Sequence, residues 1–116
     1  MPFEHAVSGA PALAVVRGVG IVDAQMWKSV LQQIRDNPLF TTETPVLIDV
    51  TEVTTPLRAL SEAMATGWLQ VLPASRGAVV SAAGVAFEVC RDIEAMTGHR
   101  LRAFTNADAA LAWLRS

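Results

Sequence analysis

The chain contains few of the residues that cross-link a small domain or take part in catalysis. Cys90 is the only cysteine among 116 residues, so no disulfide can form within the chain. The two histidines, His5 and His99, have no second ligand at metal-binding spacing. A Gly-x-Ser-x-Gly elbow is also absent. The sequence therefore predicts no metal site, no cofactor and no catalytic constellation.

Charge is scarce as well. Charged residues make up 17% of the chain, and the formal net charge is −2. Binding to nucleic acid needs a basic surface, so we expect no nucleic-acid partner. Lys28 is the only lysine and the other basic residues are all arginine. An arginine-rich phosphate site could use that bias, but we favour a coding bias of a high-GC genome, which also explains the abundant alanine.

Long apolar runs are missing. The longest, residues 77–87, is interrupted by Ser81 and is too short to span a bilayer. Residues 1–5 have no basic segment followed by an apolar one, so we expect no secretory signal. The expectation is a cytoplasmic protein without a transmembrane segment.

What the chain does contain is a high proportion of apolar residues, 52%. A chain of this length is expected to form one domain, residues 1–116, and to bury about two-thirds of its unfolded surface. We find no internal repeat, no low-complexity tract and no linker.

Two periodicities alternate along the chain. Apolar runs typical of strands occupy residues 3–7, 12–17, 46–50, 77–82 and 100–104. Between and after the later strands, apolar residues recur at helical spacing. The order β-β-α-β-α-β-α-β-α predicts an α/β fold: a mixed, largely parallel five-stranded sheet with an opening β-hairpin and about four helices.

Capping residues mark where the helices begin. Asp23 is the expected N-cap of the first helix. Thr55 is the expected N-cap of the second, with Pro56 at its first position. The final helix is preceded by two candidates, Thr105 in a capping box and Asn106.

Three segments carry a resemblance to a known family. VRGVGIVD at 16–23 is similar to the strand, glycine loop and first-helix entry of the STAS domain, found in bacterial anti-sigma-factor antagonists and in the cytoplasmic ends of sulfate transporters. VLIDVTEVT at 46–54 resembles that family's central strand, aspartate and following loop. FTNADAALAWL at 104–114 resembles the ending of the branch grouped with the CRAL-TRIO lipid carriers.

The resemblance implies a regulatory domain that acts through protein contact, with its surface at residues 51–58. The partner-contact candidates are Thr51, Thr54, Thr55 and Arg58. Phosphorylatable antagonists carry a serine here, beside an aspartate or a second serine, and this chain has neither pair. Thr54 or Thr55 could accept a phosphate at the helix N-terminus, although Thr55 is more simply read as the cap.

A second group of residues could bind a ligand. Asp49, near the end of the central strand, could face a ligand or act as a base, but we favour a carboxylate that accepts N–H bonds from the following loop. Met64, Trp68 and Phe87 could line an apolar pocket, and at helical spacing such residues also form ordinary core. Cys90, on an apolar stripe, is expected to be a buried, inert thiol.

The leading hypothesis is a non-enzymatic bacterial STAS-like domain that binds a protein partner of unassigned pathway. The alternative is a carrier or sensor of a small apolar, lipid-like ligand. An enzyme using Asp49 is the third hypothesis. A homodimer formed through an apolar helix face or a sheet edge is also expected.

Overall fold

The structure, a computed structural model, describes residues 3–72 and 76–116. This part of the chain forms five strands and four helices in the predicted order. They are β1 (Phe3–Gly9), β2 (Ala12–Gly20), α1 (Ala24–Arg35), β3 (Val46–Val53), α2 (Leu57–Val71), β4 (Gly77–Val80), α3 (Val85–Met96), β5 (Leu101–Phe104) and α4 (Ala107–Leu114).

The strands form one sheet in the order β1-β2-β3-β4-β5. β1 and β2 are an antiparallel hairpin, paired from Phe3↔Gly18 to Gly9↔Ala12. The later strands pair in parallel, each reached through a helix. The predicted fold class, a mixed and largely parallel sheet with an opening hairpin, is confirmed.

Helices cover the two faces of the sheet unequally. α1, α2 and α3 pack against one face, where Trp68 and Ile93 meet Ile48 in the larger hydrophobic core. α4 packs on the other face, where Leu114 meets Leu47 in a smaller core. Because side chains alternate along a strand, neighbouring residues of β3 serve two separate cores.

The first and last helices begin where local sequence predicts. The Asp23 carboxylate accepts a hydrogen bond of 2.8 Å from the Met26 amide, and so caps α1. At α4 the Asn106 side chain accepts a hydrogen bond of 3.0 Å from the Ala109 amide. Of the two candidates, Asn106 is therefore the cap, and Thr105 lies one residue before it.

The prediction that Thr55 caps α2 is wrong. Pro56 occupies the N-cap position, and α2 has no side-chain capping hydrogen bond at this end. The Thr55 hydroxyl instead accepts a hydrogen bond from the Val22 amide (2.8 Å) and donates one to the Val22 carbonyl (3.0 Å). This contact satisfies both backbone groups of Val22, and it fixes the start of α2 against the loop before α1.

The predicted end of the central strand at residue 50 is also wrong. β3 continues to Val53, because its ladder with β2 resumes at Val19↔Glu52 after a bulge. Asp49 consequently lies inside the strand, and Thr51 is a strand residue where the sequence predicted a loop. The connection to α2 begins only at Thr54.

Close packing at Gly77 joins the helical layer to the sheet. A Cβ at this position would lie 2.6 Å from the Trp68 ring and 2.5 Å from Leu101. Only glycine allows both side chains to approach the start of β4 so closely. The indole of Trp68 is therefore closely packed between α2 and the sheet.

Candidate functional site

A cleft of about 280 Å³ opens where β3 and β4 end and α2 and α3 begin. In parallel α/β sheets, ligands and partners bind at this edge, outside the carboxyl ends of the strands. Most of the lining is aliphatic, and on the α3 side it consists of Val85, Ala86 and Val89. Val85 is 70% exposed and stands at the rim.

The predicted partner-contact residues gather at this cleft. Thr51, Thr55 and Arg58 line it. Thr54 is exposed beside them, and its amide donates a hydrogen bond of 2.8 Å to the Gly20 carbonyl. The end of β3, the connection and the first turn of α2 therefore present all four residues on one side of the molecule.

The Asp49 carboxylate supports the cleft from within β3. One of its oxygens accepts hydrogen bonds from the Thr51 amide (2.9 Å) and from the Thr51 hydroxyl (2.6 Å). Asp49 does not itself line the cleft. Its observed role is to hold Thr51, which matches the structural interpretation favoured from sequence, although the bonds lie inside the strand and not in a loop.

An ion pair between Arg17 and Glu52 joins β2 to β3 at the same end of the sheet. Both side chains are about half exposed, so solvent screens the pair and it contributes little to stability. This contact could not be predicted from the sequence, because the bulge between Arg17 and Val19 sets the register of the two strands.

Two solved structures share this arrangement of elements. One is an uncharacterised protein from the DUF3478 family with a SpoIIAA-like fold, from Shewanella loihica PV-4. It is 20% identical, with a TM-score of 0.67 over 97% of this chain and 91% of that one. The other, an anti-sigma factor antagonist from Mycobacterium paratuberculosis, is 17% identical, with a TM-score of 0.58 over 98% and 95%.

The chain has a STAS-like fold. It matches no family model and no curated protein, so the likeness rests on structure. At these identities what the two neighbours share with the chain is the fold. The STAS resemblance predicted from sequence is confirmed at that level, while the branch grouped with lipid carriers stays a prediction.

The ligand-pocket candidates lie elsewhere in the STAS-like fold. Met64 and Trp68 are buried in the core between the helices and the sheet, and Phe87 is half-buried on α3. None of the three lines the cleft. A pocket formed by these residues stays a prediction, and the apolar surface at the cleft comes from β3, the start of α2 and α3.

The two phospho-acceptor candidates differ in accessibility. The Thr55 hydroxyl is half-buried and bonded to both backbone groups of Val22. Thr54 is exposed, and its hydroxyl makes no hydrogen bond within residues 3–72 and 76–116. Phosphorylation at either position stays a prediction, and Thr54 is the one whose hydroxyl a kinase can reach.

The other reactive groups are dispersed. Burial raises the pKa of the Cys90 thiol, and a hydrogen bond with Ser81 opposes this in part. The thiol is therefore protonated and shielded at neutral pH. Within the described ranges, no group of three metal-ligating side chains is found. In the same part of the chain, none of the helices has the length and apolar character needed to cross a membrane.

Proposed function

We propose that this STAS-like domain is a non-enzymatic regulatory module of a bacterial cytoplasm that binds a protein partner at the cleft surface. The cleft surface is defined as Thr51, Thr54, Thr55, Arg58 and Val85. The observation that carries the proposal is that polar, cationic and exposed apolar groups converge at one edge of the sheet.

The cleft can take one or two side chains of a protein partner. Its volume of about 280 Å³ lies at the lower end of the range of about 300–1,000 Å³ for sites that enclose small molecules, so volume fits either occupant and the exposed rim has to decide. Val85 would lose most of its exposed surface on binding, which supplies the apolar anchor that interfaces need.

The charge of Arg58 would orient a partner at the cleft surface. Arg58 is exposed and makes no ion pair among the residues that the structure describes. An unpaired guanidinium beside an apolar rim recognises a carboxylate on an incoming partner. The neighbour from Mycobacterium paratuberculosis is named an anti-sigma factor antagonist, and a shared fold with a regulator of that name supports a protein partner.

Site-specific photo-cross-linking tests this proposal. A photo-reactive amino acid at Thr54 should cross-link a partner in cells that express the chain, while the same group at exposed Thr105, before α4, should not. R58E should abolish the cross-link. R91E is the matched control, because Arg91 is exposed on α3 and lies outside the cleft. Equal cross-linking at both sites, or persistence in R58E, would overturn the assigned surface.

A carrier of a small apolar ligand is the second candidate, because most of the cleft lining is aliphatic. Native mass spectrometry of protein purified from cells separates the two functions. A co-purifying lipid that is lost in V85E, a change at an exposed residue of the cleft, favours the carrier. A clean mass together with a Thr54 cross-link favours the protein-binding module.

A further inference from the structure

The two edge strands of the sheet, β1 and β5, differ in whether the backbone groups on their outer side are hydrogen-bonded. On β5, the Leu101 amide donates a hydrogen bond to the Thr97 hydroxyl (3.2 Å), and the Ala103 amide donates one to the Glu94 carboxylate (2.9 Å). Both amides point away from β4, so side chains of α3 and its C-cap occupy the donors that another strand would use. The β5 edge is closed.

The β1 edge is open. β1 is paired with β2 along all seven residues, Phe3–Gly9. Its opposite side makes no hydrogen bond with any other group in residues 3–72 and 76–116. The strand contains no proline and no lysine, the residues that commonly block an edge. A regular strand with unpaired amides and carbonyls is a template for a further strand.

Helix α1 flanks this edge with a charge-poor surface. A groove of about 440 Å³ runs between β1 and α1, and its apolar residues are Phe3, Met26 and Val30. The polar lining is Gln25, Ser29 and Gln33, with Asp23 as the one charged residue. Depletion of charge around an exposed methionine, here 36% exposed, is typical of an interface core.

We propose that a second copy of this chain adds to the β1 edge as an antiparallel strand, with the two-fold axis passing at Ala6. This pairing extends the sheet across two copies, and it brings the two α1 flanks together on the same face. Its surface shares no residue with the cleft surface, so it goes beyond the proposed function.

The cross-strand pairs created by this axis are what favour a second copy over an unrelated strand. Glu4 of each copy lies opposite Ser8, and Phe3 lies opposite Gly9. No like charges face each other, Phe3 meets a residue without a side chain, and Glu4 meets a small one. On the α1 face, His5 lies opposite Val7. The strand is thus complementary to itself, as a two-fold interface requires.

Sedimentation velocity tests the surface. The wild-type protein should sediment as a dimer, with twice the 12.4 kDa mass of one chain. Ala6 is exposed in the single chain, so A6K should fold and yet become a monomer, because two ammonium groups meet at the axis. A95K, on the exposed surface of α3, and R58E, at the cleft, should both stay dimeric. A wild-type monomer, or a dimeric A6K, would overturn the proposal.

Mixing charge variants tests the register. A6K and A6E should each be monomeric alone, and should form a mixed dimer when combined, since only at the axis does Ala6 face itself. Absence of the mixed dimer would refute the axis at Ala6. If circular dichroism shows that A6K is unfolded, M26K provides the second test, because it places the charge on the α1 flank instead of the strand.

Discussion

Two tryptophans of equal size and burial should differ in how well they tolerate replacement by phenylalanine. Trp27 is 1% exposed, and its Nε1–H donates a hydrogen bond of 3.3 Å to the Met64 carbonyl. Trp68 is 0% exposed, and its Nε1–H has no acceptor in the described part of the chain. A buried donor without a partner retains the cost of leaving water.

The two substitutions remove the same atoms, so the lost apolar contact is similar in both. W27F also loses a hydrogen bond, which costs about 0.5–1.5 kcal/mol. W68F instead removes the unpaired donor, and with it a penalty of about 1–3 kcal/mol. Taking the lower end of both ranges, W68F should keep about 1.5 kcal/mol more of the free energy of unfolding than W27F.

Urea unfolding followed by far-UV circular dichroism measures this difference at one fixed protein concentration. With a slope of about 1–3 kcal/mol per molar urea, the two midpoints should differ by about 0.5–1.5 M. W68A is the packing control and should lose about 3–5 kcal/mol, since it leaves a void. A W68F midpoint at or below that of W27F would refute the reasoning about the unpaired donor.

Three further predictions concern other buried contacts. G77A should destabilise the fold by at least about 1–3 kcal/mol, because its Cβ overlaps Trp68 and Leu101. G9A should change the urea midpoint little, because its Cβ would make only an ordinary contact of 3.4 Å with the Leu39 side chain. T55V should lower the free energy of unfolding by about 1–3 kcal/mol, because the Val22 amide and carbonyl lose their hydrogen-bond partner. T55S keeps the hydroxyl and should restore the stability. Equal loss in both variants would contradict the hydrogen-bond argument. Because burial raises the pKa of Cys90 in the folded chain, its contribution to stability is present below about pH 8.5, the ordinary thiol value, and falls as pH rises above it. The urea midpoint of the wild type should therefore fall as pH rises above this value, and the fall should be absent in C90A.

Local sequence was sufficient for the elements whose signals are local. Asp23 and Asn106 cap α1 and α4 through bonds that span three residues, so nothing distant has to be known. The alternation of strand and helix periodicity predicted the element order and the opening hairpin for the same reason.

The candidate site was predictable in part. Thr51, Thr54, Thr55 and Arg58 were named because the STAS resemblance implies a contact surface at residues 51–58. Thr51, Thr55 and Arg58 line one cleft in the structure, and Thr54 is exposed beside them, while the binding of a partner there stays a prediction. Val85 was missed. The available signal was an apolar residue lying outside the stripe of α3, which gains meaning only once the helix is placed against β3.

Helical spacing alone does not distinguish core residues from residues that line a ligand site, so the proposed pocket residues could not be assigned to either from sequence. Met64 and Trp68 occur at such spacing, and only the packing of α2 against the sheet places them in the core. Phe87, one residue after Ala86 on α3, ends up away from the cleft for the same reason.

The sequence by itself determined which segments form strands and helices, in what order, and where two of the helices begin. Tertiary structure decided the rest. Thr55 bonds to Val22, which is 33 residues away, and so is not a cap. Strand β3 is longer than its own pattern because β2 lies beside it, and β1 keeps an open edge while Glu94 closes β5. Each of these outcomes depends on hydrogen-bonding groups of different elements, which meet only when the chain folds.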